Sequence, residues 1–95
     1  MSALLTTKRK ILMRMQKVFT LYVDGGHAWA KVPRKLLALL GIVKDITHYS
    51  YQRGDYVYLE EDDDLDTFMK AYPLATFRVR TSATSRVRRY DSFKA

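Results

Sequence analysis

At 95 residues the chain has room for one small domain, and its 47% hydrophobic fraction is ordinary for a folded one. It has no cysteine, which excludes disulfides, thiolate zinc sites and cysteine nucleophiles, and fits a cytoplasmic setting. A net charge of +7 points to polyanionic partners, and the longest apolar stretch, Leu36 through Val43, is far shorter than the roughly 20 residues of a membrane span.

The charge is unevenly laid out. Residues 1–17 carry +5, residues 18–75 carry −3, and residues 76–95 carry +5. The body is mildly acidic and both ends are basic.

Residues 1–14 show no sustained period, and Ile11, Leu12 and Met13 are too few for the apolar segment of a secretory signal. A disordered basic extension is expected over residues 1–15. Lys8, Arg9 and Lys10 can be encoded by purine-rich codons resembling a bacterial ribosome-binding site, so Met13 and Met15 join Met1 as candidate starts.

Residues 18–23 are rich in β-branched and aromatic types and read as a strand. Asp24, Gly25, Gly26 and His27 make a turn in which glycine supplies positive φ, and residues 28–32 return as a second strand. Pro33 suits the first position of a short helix, with Leu36, Leu37 and Leu40 on one face and Gly41 as its C-cap. Trp29 is expected as a core anchor or a lid on the sheet edge. Residues 46–52 and 56–60 form a second hairpin around Arg53, Gly54 and Asp55. Asp62 or Asp63 then caps a helix whose Leu65, Phe68, Met69 and Tyr72 share a helical stripe, ended by Pro73. Residues 76–81 alternate Phe77 and Val79 against Arg78 and Arg80, a half-buried strand.

This order, β-β-α-β-β-α-β, predicts an α+β fold over residues 16–81: a small antiparallel sheet of about five strands with two short helices on one face. Residues 82–95 are expected as a mobile, arginine-rich basic tail. The sheet's other face is left open to solvent.

The second hairpin has a register with functional weight. If Tyr49 faces Tyr58 and Tyr51 faces Tyr56, four tyrosines share one plane. A register shifted by one residue puts Tyr49 and Tyr51 with Val57 and Leu59, and Tyr56 and Tyr58 with His48, Ser50 and Gln52. The shifted register separates apolar from polar better and is the one expected. It leaves Tyr56 and Tyr58 on the open face near Arg78 and Arg80, where aromatics interleaved with arginine stack bases and hold phosphates. Tyrosines are also simply good strand residues with a wet hydroxyl end.

In the tail, Arg86, Arg88 and Arg89 offer planar forks suited to phosphate oxygens, or serve only to solubilise. The run Glu60, Glu61, Asp62, Asp63, Asp64 and Asp66 sets six carboxylates among seven positions. At a helix N-terminus it reads first as a solvated cap. Its sharper reading is mimicry of nucleic acid, a carboxylate edge filling another protein's groove. A calcium loop counted from Asp62 fails, since its sixth and twelfth positions hold Thr67 and Pro73 rather than glycine and glutamate. His27 and His48 lack any metal-ligand spacing. No nucleophile elbow or phosphate-cradling loop is present in the sequence. Neither enzyme activity, nor a metal, nor a cofactor is expected.

At residues 25–32, 49–62 and 85–90 the chain resembles small bacteriophage and mobile-element proteins of no known activity. The likeness spans roughly residues 18–93 and carries no catalytic residues across. It implies a bacterial host cytoplasm and, by analogy, an accessory role. The expectation is a non-enzymatic protein that docks on a host nucleic-acid-handling complex, as a CRISPR or restriction inhibitor, through Glu60, Glu61, Asp62, Asp63, Asp64 and Asp66. The alternative is direct DNA or RNA binding through Arg78, Arg80, Arg86, Arg88 and Arg89 with Tyr56 and Tyr58. No membrane partner is expected. A monomer or a small homo-oligomer, paired through a sheet edge, remains open.

Overall fold

The computed structural model describes residues 3–82 and 85–95; residues 1, 2, 83 and 84, which belong to the expected extension and tail, lie outside it. The elements are helix α1 (Ala3–Arg14), strands β1 (Val18–Asp24) and β2 (His27–Pro33), helix α2 (Arg34–Leu40), strands β3 (Tyr51–Arg53) and β4 (Tyr56–Glu60), helix α3 (Asp64–Ala71), and strands β5 (Thr76–Thr81) and β6 (Asp91–Ser92). Six strands form one sheet in the order β5-β1-β2-β4-β3-β6. The fold is α+β, as expected, with a mixed rather than antiparallel sheet.

The hairpins explain most of that order. β1 and β2 pair antiparallel around Gly25 and Gly26, and β3 pairs antiparallel with β4 around Gly54 and Asp55. β4 also pairs antiparallel with β2, which leaves β4 parallel to β1. Helix α3 then returns the chain across the sheet, so β5 lies parallel to β1. A strand entered through a helix is free of the antiparallel constraint that a short hairpin imposes. Both α2 and α3 cover the same sheet face. Leu36, Leu37, Leu65 and Phe68 pack there against Phe19, Ala30, Val32, Val57 and Leu59, with Phe68 meeting Phe19 edge-on at 5.3 Å.

Several boundaries differ from the sequence reading. The first glycine pair does not take the left-handed backbone; its turn is closed by the Gly26 N–H on the Asp24 carbonyl. Gly41 does take it, with φ +74, and caps α2 as expected. Pro33 ends β2 instead of opening α2. β3 begins only at Tyr51, because the preceding loop bends to bind the start of α3. There Asp64 accepts from the Thr47 N–H at 3.0 Å, the Thr47 hydroxyl at 2.7 Å and the Ser50 hydroxyl at 2.5 Å. Met69, expected in the core stripe, is exposed.

The expected hairpin register is overturned. Tyr51 faces Tyr58 and Arg53 faces Tyr56. The turn has two residues, with Gly54 at φ +57, the geometry whose twist suits a hairpin. One residue of slip moves every side chain to the opposite face. Tyr51 therefore leaves the face of Val57 and Leu59 and joins Tyr56 and Tyr58 outside.

Both chain ends are more structured than their composition suggests. Nine of the twelve residues 3–14 are strong helix formers, and the segment makes α1 in place of a disordered extension. Leu12 and Met15 pack on the core, and the Tyr72 hydroxyl donates to the Leu12 and Gln16 carbonyls at 3.2 and 3.3 Å. At the other end, residues 85–93 form an arm rather than a mobile tail. A short 3-10 turn at Arg86–Arg89 leads into β6 on the β3 edge, and Phe93 enters the main core.

Candidate nucleic-acid interface

Strand alternation sorts the outer face. With Phe19 and Leu21 pointing to the helices, Thr20, Tyr22 and Asp24 of β1 point outward. Register extends this across the sheet. One row reads Arg80, Tyr22, Trp29, Glu60, and the next Arg78, Thr20, Lys31, Tyr58, Tyr51. The predicted quartet of Tyr56, Tyr58, Arg78 and Arg80 does share one face. Lys31, Arg53 and Tyr22 join it.

This face is not open. The C-terminal arm crosses it, from Asp24 at one end of β1 to the β3 edge. The Ser85 N–H donates to Asp24 Oδ2 at 3.0 Å, and the Arg88 guanidinium grips both carboxylate oxygens at 2.7 and 2.8 Å. Val87 closes over Trp29 and Tyr58 in a second core, flanked by Tyr22, Tyr51 and Tyr90. Trp29 is 3% exposed and Tyr58 6%. Trp29 is thus an anchor beneath the arm, with Arg88 over its ring at 5.1 Å.

The electrostatics follow. The Arg88 hydrogen bond, helped by the Ser85 N–H, holds the Asp24 carboxyl down at about 2. The same bond raises Arg88. Burial, reinforced by neighbouring Tyr90, pushes the Tyr58 hydroxyl up to about 12.

The arm divides the outer surface into two clefts of about 340 Å³ each. The first is lined by Tyr22, Tyr58, Arg80, Ser82, Ser85, Arg86, Val87 and Tyr90, with no carboxylate. The second is lined by His27, Trp29, Tyr49, Tyr51, Glu60, Asp62, Asp63 and Arg88. The arginines fall into two groups. Arg88 is spent on Asp24, Arg34 donates to Gln52 and to the Lys94 carbonyl, and Arg53 lies over the Tyr90 ring at 5.0 Å. Arg78, Arg80, Arg86 and Arg89 are exposed and make no ion pair among the described residues.

The acidic run is split by its surroundings. Asp64, proposed from sequence as a contact residue, is 1% exposed and consumed by the loop it binds, so it offers no surface. Asp66 pairs with Lys70 at 2.9 Å. Glu60 is half-buried, which raises its carboxyl, and it accepts from the Asp63 N–H at 3.3 Å. Glu61, Asp62 and Asp63 remain exposed. Asp63 sits at the N-cap of α3 without a side-chain capping bond.

Among the described residues no helix is long and apolar enough to cross a membrane, and no group of three or more His, Asp or Glu side chains is placed to share a metal. Compared with family models, with curated proteins and with solved structures, the chain matches none. Lys31, Tyr22 and Tyr90 were not picked out from sequence. Alternation from Phe19 fixes Tyr22 outward, and alternation from Val32 does the same for Lys31. Nothing local marks Tyr90, which reaches the face only through the arm's long-range docking.

Proposed function

We propose that this protein is a non-enzymatic binder of single-stranded nucleic acid, which it holds on the basic side of its outer sheet face. The observation that carries this reading is the gathering on one face of Arg78, Arg80 and Arg86, each exposed and without an ion-pair partner among the described residues, with Lys31, Tyr22 and Tyr56. Arginine forks suit phosphate oxygens, and a sheet bearing aromatics suits unpaired bases, whose ring faces are accessible only in single strands. The basic cleft contains arginine, tyrosine and serine, but no carboxylate or histidine to move a proton in catalysis.

The test is fluorescence anisotropy against single- and double-stranded DNA and RNA over a salt series. Four phosphate contacts on a single strand give a log–log salt slope of about −3. A slope near that value, cut to about −0.7 in the combined Arg78→Ala, Arg80→Ala and Arg86→Ala variant, supports the reading. No binding at low salt overturns it.

A second reading keeps the expected docking on a host nucleic-acid-handling complex in the bacterial cytoplasm. It is favoured by Tyr49, which is 64% exposed and lines the acidic cleft with Asp62 and Asp63. The readout is phage plating on a CRISPR- or restriction-protected host. Rescue by the parent chain and its loss on Tyr49→Ala with Asp62→Asn and Asp63→Asn support docking; no rescue sinks it.

Self-assembly through the free β5 edge is disfavoured by its own side chains. An antiparallel second copy centred on Val79 sets Arg78 opposite Arg80, and like charges across a strand pair are destabilising.

A further inference from the structure

We infer that the basic cleft between the C-terminal arm and strands β1 and β5 is a subsite for one nucleotide, with its phosphate on Arg80 and Arg86 and its base against the tyrosine walls. This rests on the nucleic-acid reading above and narrows it from a surface to a site. Arg80 stands beside Tyr22 in the sheet register, and Arg86 lines the same cleft from the arm. Neither guanidinium has an ion-pair partner among the described residues. Two unpaired arginines converging on one opening recognise a phosphate better than any neutral group.

The walls define the rest of the ligand. Tyr22 and Tyr90 are half-buried and pack on the buried Tyr58, at 6.2 and 4.9 Å between ring centroids, so Tyr22 and Tyr90 are the rings that a base can reach. Ser82 adds an exposed side chain to the lining, while the buried Ser85 hydroxyl accepts from the Val87 N–H at 3.2 Å and holds the arm's turn. The lining holds no carboxylate, so a cationic ligand finds no counter-charge there. The volume of about 340 Å³ is at the small end of ligand pockets, which run about 300–1,000 Å³. That admits one nucleotide and not a run of them. A strand crossing the basic face would thus insert a single base beside the arm while its other phosphates lie on Arg78 and Lys31.

The test is titration of the full chain with uridine and adenosine 5′-monophosphates and with inorganic phosphate, read by NMR chemical shifts. A short oligonucleotide is titrated in parallel. Both mononucleotides are expected to shift the Tyr22, Tyr90 and Arg86 resonances and to bind more tightly than phosphate. Arg80→Ala and Arg86→Ala are each expected to weaken mononucleotide binding about tenfold, since a charge-assisted contact is lost. Lys44→Ala, an exposed cation outside the cleft lining, is the control and leaves it unchanged. Oligonucleotide binding with no mononucleotide binding, and no difference between the arginine variants and the control, overturns the subsite and leaves the broader reading standing. Phosphate binding as tight as the nucleotides removes any role for the walls and also overturns it. Failure of every ligand, oligonucleotide included, overturns both.

Discussion

The two clefts flank the same arm, have the same volume and are each lined by tyrosines, yet their arginines are in opposite states. On one side Arg80 and Arg86 have no ion-pair partner among the described residues; on the other, Arg88 is locked on Asp24. Arg86 and Arg88 are two positions apart in one short turn. The first faces the basic cleft and the second serves as a clamp. An arginine-rich segment is therefore not one functional unit. Part of its charge fastens the segment down so that the remainder is presented at a fixed place.

The strongest way to break this comparison is to release the arm. Phe93 is buried in the main core, and Phe93→Ala is expected to cost about 3–5 kcal/mol, a Tm drop of more than about 10 °C. Urea unfolding measures it. Trp29 is the sole tryptophan and lies under the arm, so its emission should shift to longer wavelength before the main transition. An arm that leaves without moving that emission would mean Val87 does not cover Trp29, and the two clefts would be one.

The clamp itself comes next. Asp24 titrates at about 2 when folded, below its usual value near 3.8. A depressed carboxylate stabilises the fold above the unfolded pKa, and that contribution is lost as pH falls through the folded one. The urea midpoint of the parent should therefore decline more steeply between about pH 4 and pH 2 than that of Asp24→Asn. Parallel curves would show that the ion pair does not hold the arm.

How much of this was legible in the sequence depends on how local the cause was. The two hairpin turns, the Gly41 cap, Leu65, Phe68 and Tyr72 of the second helix stripe, and the placement of Tyr56, Tyr58, Arg78 and Arg80 on one face all follow from alternation and turn chemistry within a few residues, whereas the second hairpin's register and Met69 do not. The parallel β1–β5 pair does not, because it comes from two crossovers acting together. The short β3 also escaped, since the partner that bends residues 47–50 is Asp64, a side chain read as one carboxylate among six. The arm was missed for the same reason. Its arginines dominate the composition of residues 85–93, while Val87 and Phe93 decide its position by packing far away in sequence.

Between the clefts, the basic one should dominate nucleic-acid affinity. Arg78→Ala, Arg80→Ala and Arg86→Ala are each expected to weaken single-strand binding several-fold and to shorten the log–log salt slope by about 0.7. Arg88→Ala is the discriminating comparison. It removes the same formal charge, but from a guanidinium already committed to Asp24. Its slope should stay closer to the parent's, with its main effect on stability. Equal slopes for all four variants would mean that the binder is a diffuse cation cloud with no placed site.

The smallest effect is the most direct probe of separation between the clefts. Asp62→Asn with Asp63→Asn removes two exposed carboxylates from the acidic side and none from the basic side. If nucleic acid stays on the basic side, those carboxylates act on it only through solvent across the arm. Affinity should then rise about twofold at about 0.01 M salt, where the screening length is about 30 Å, and be unchanged near 0.15 M, where it is about 8 Å. A gain that persists at the higher salt would place the strand across the arm, close to Asp62 and Asp63. A loss of affinity would be more telling still. It would mean that the carboxylates themselves make contact, and since they repel phosphate, the polymer would have to meet them through its bases.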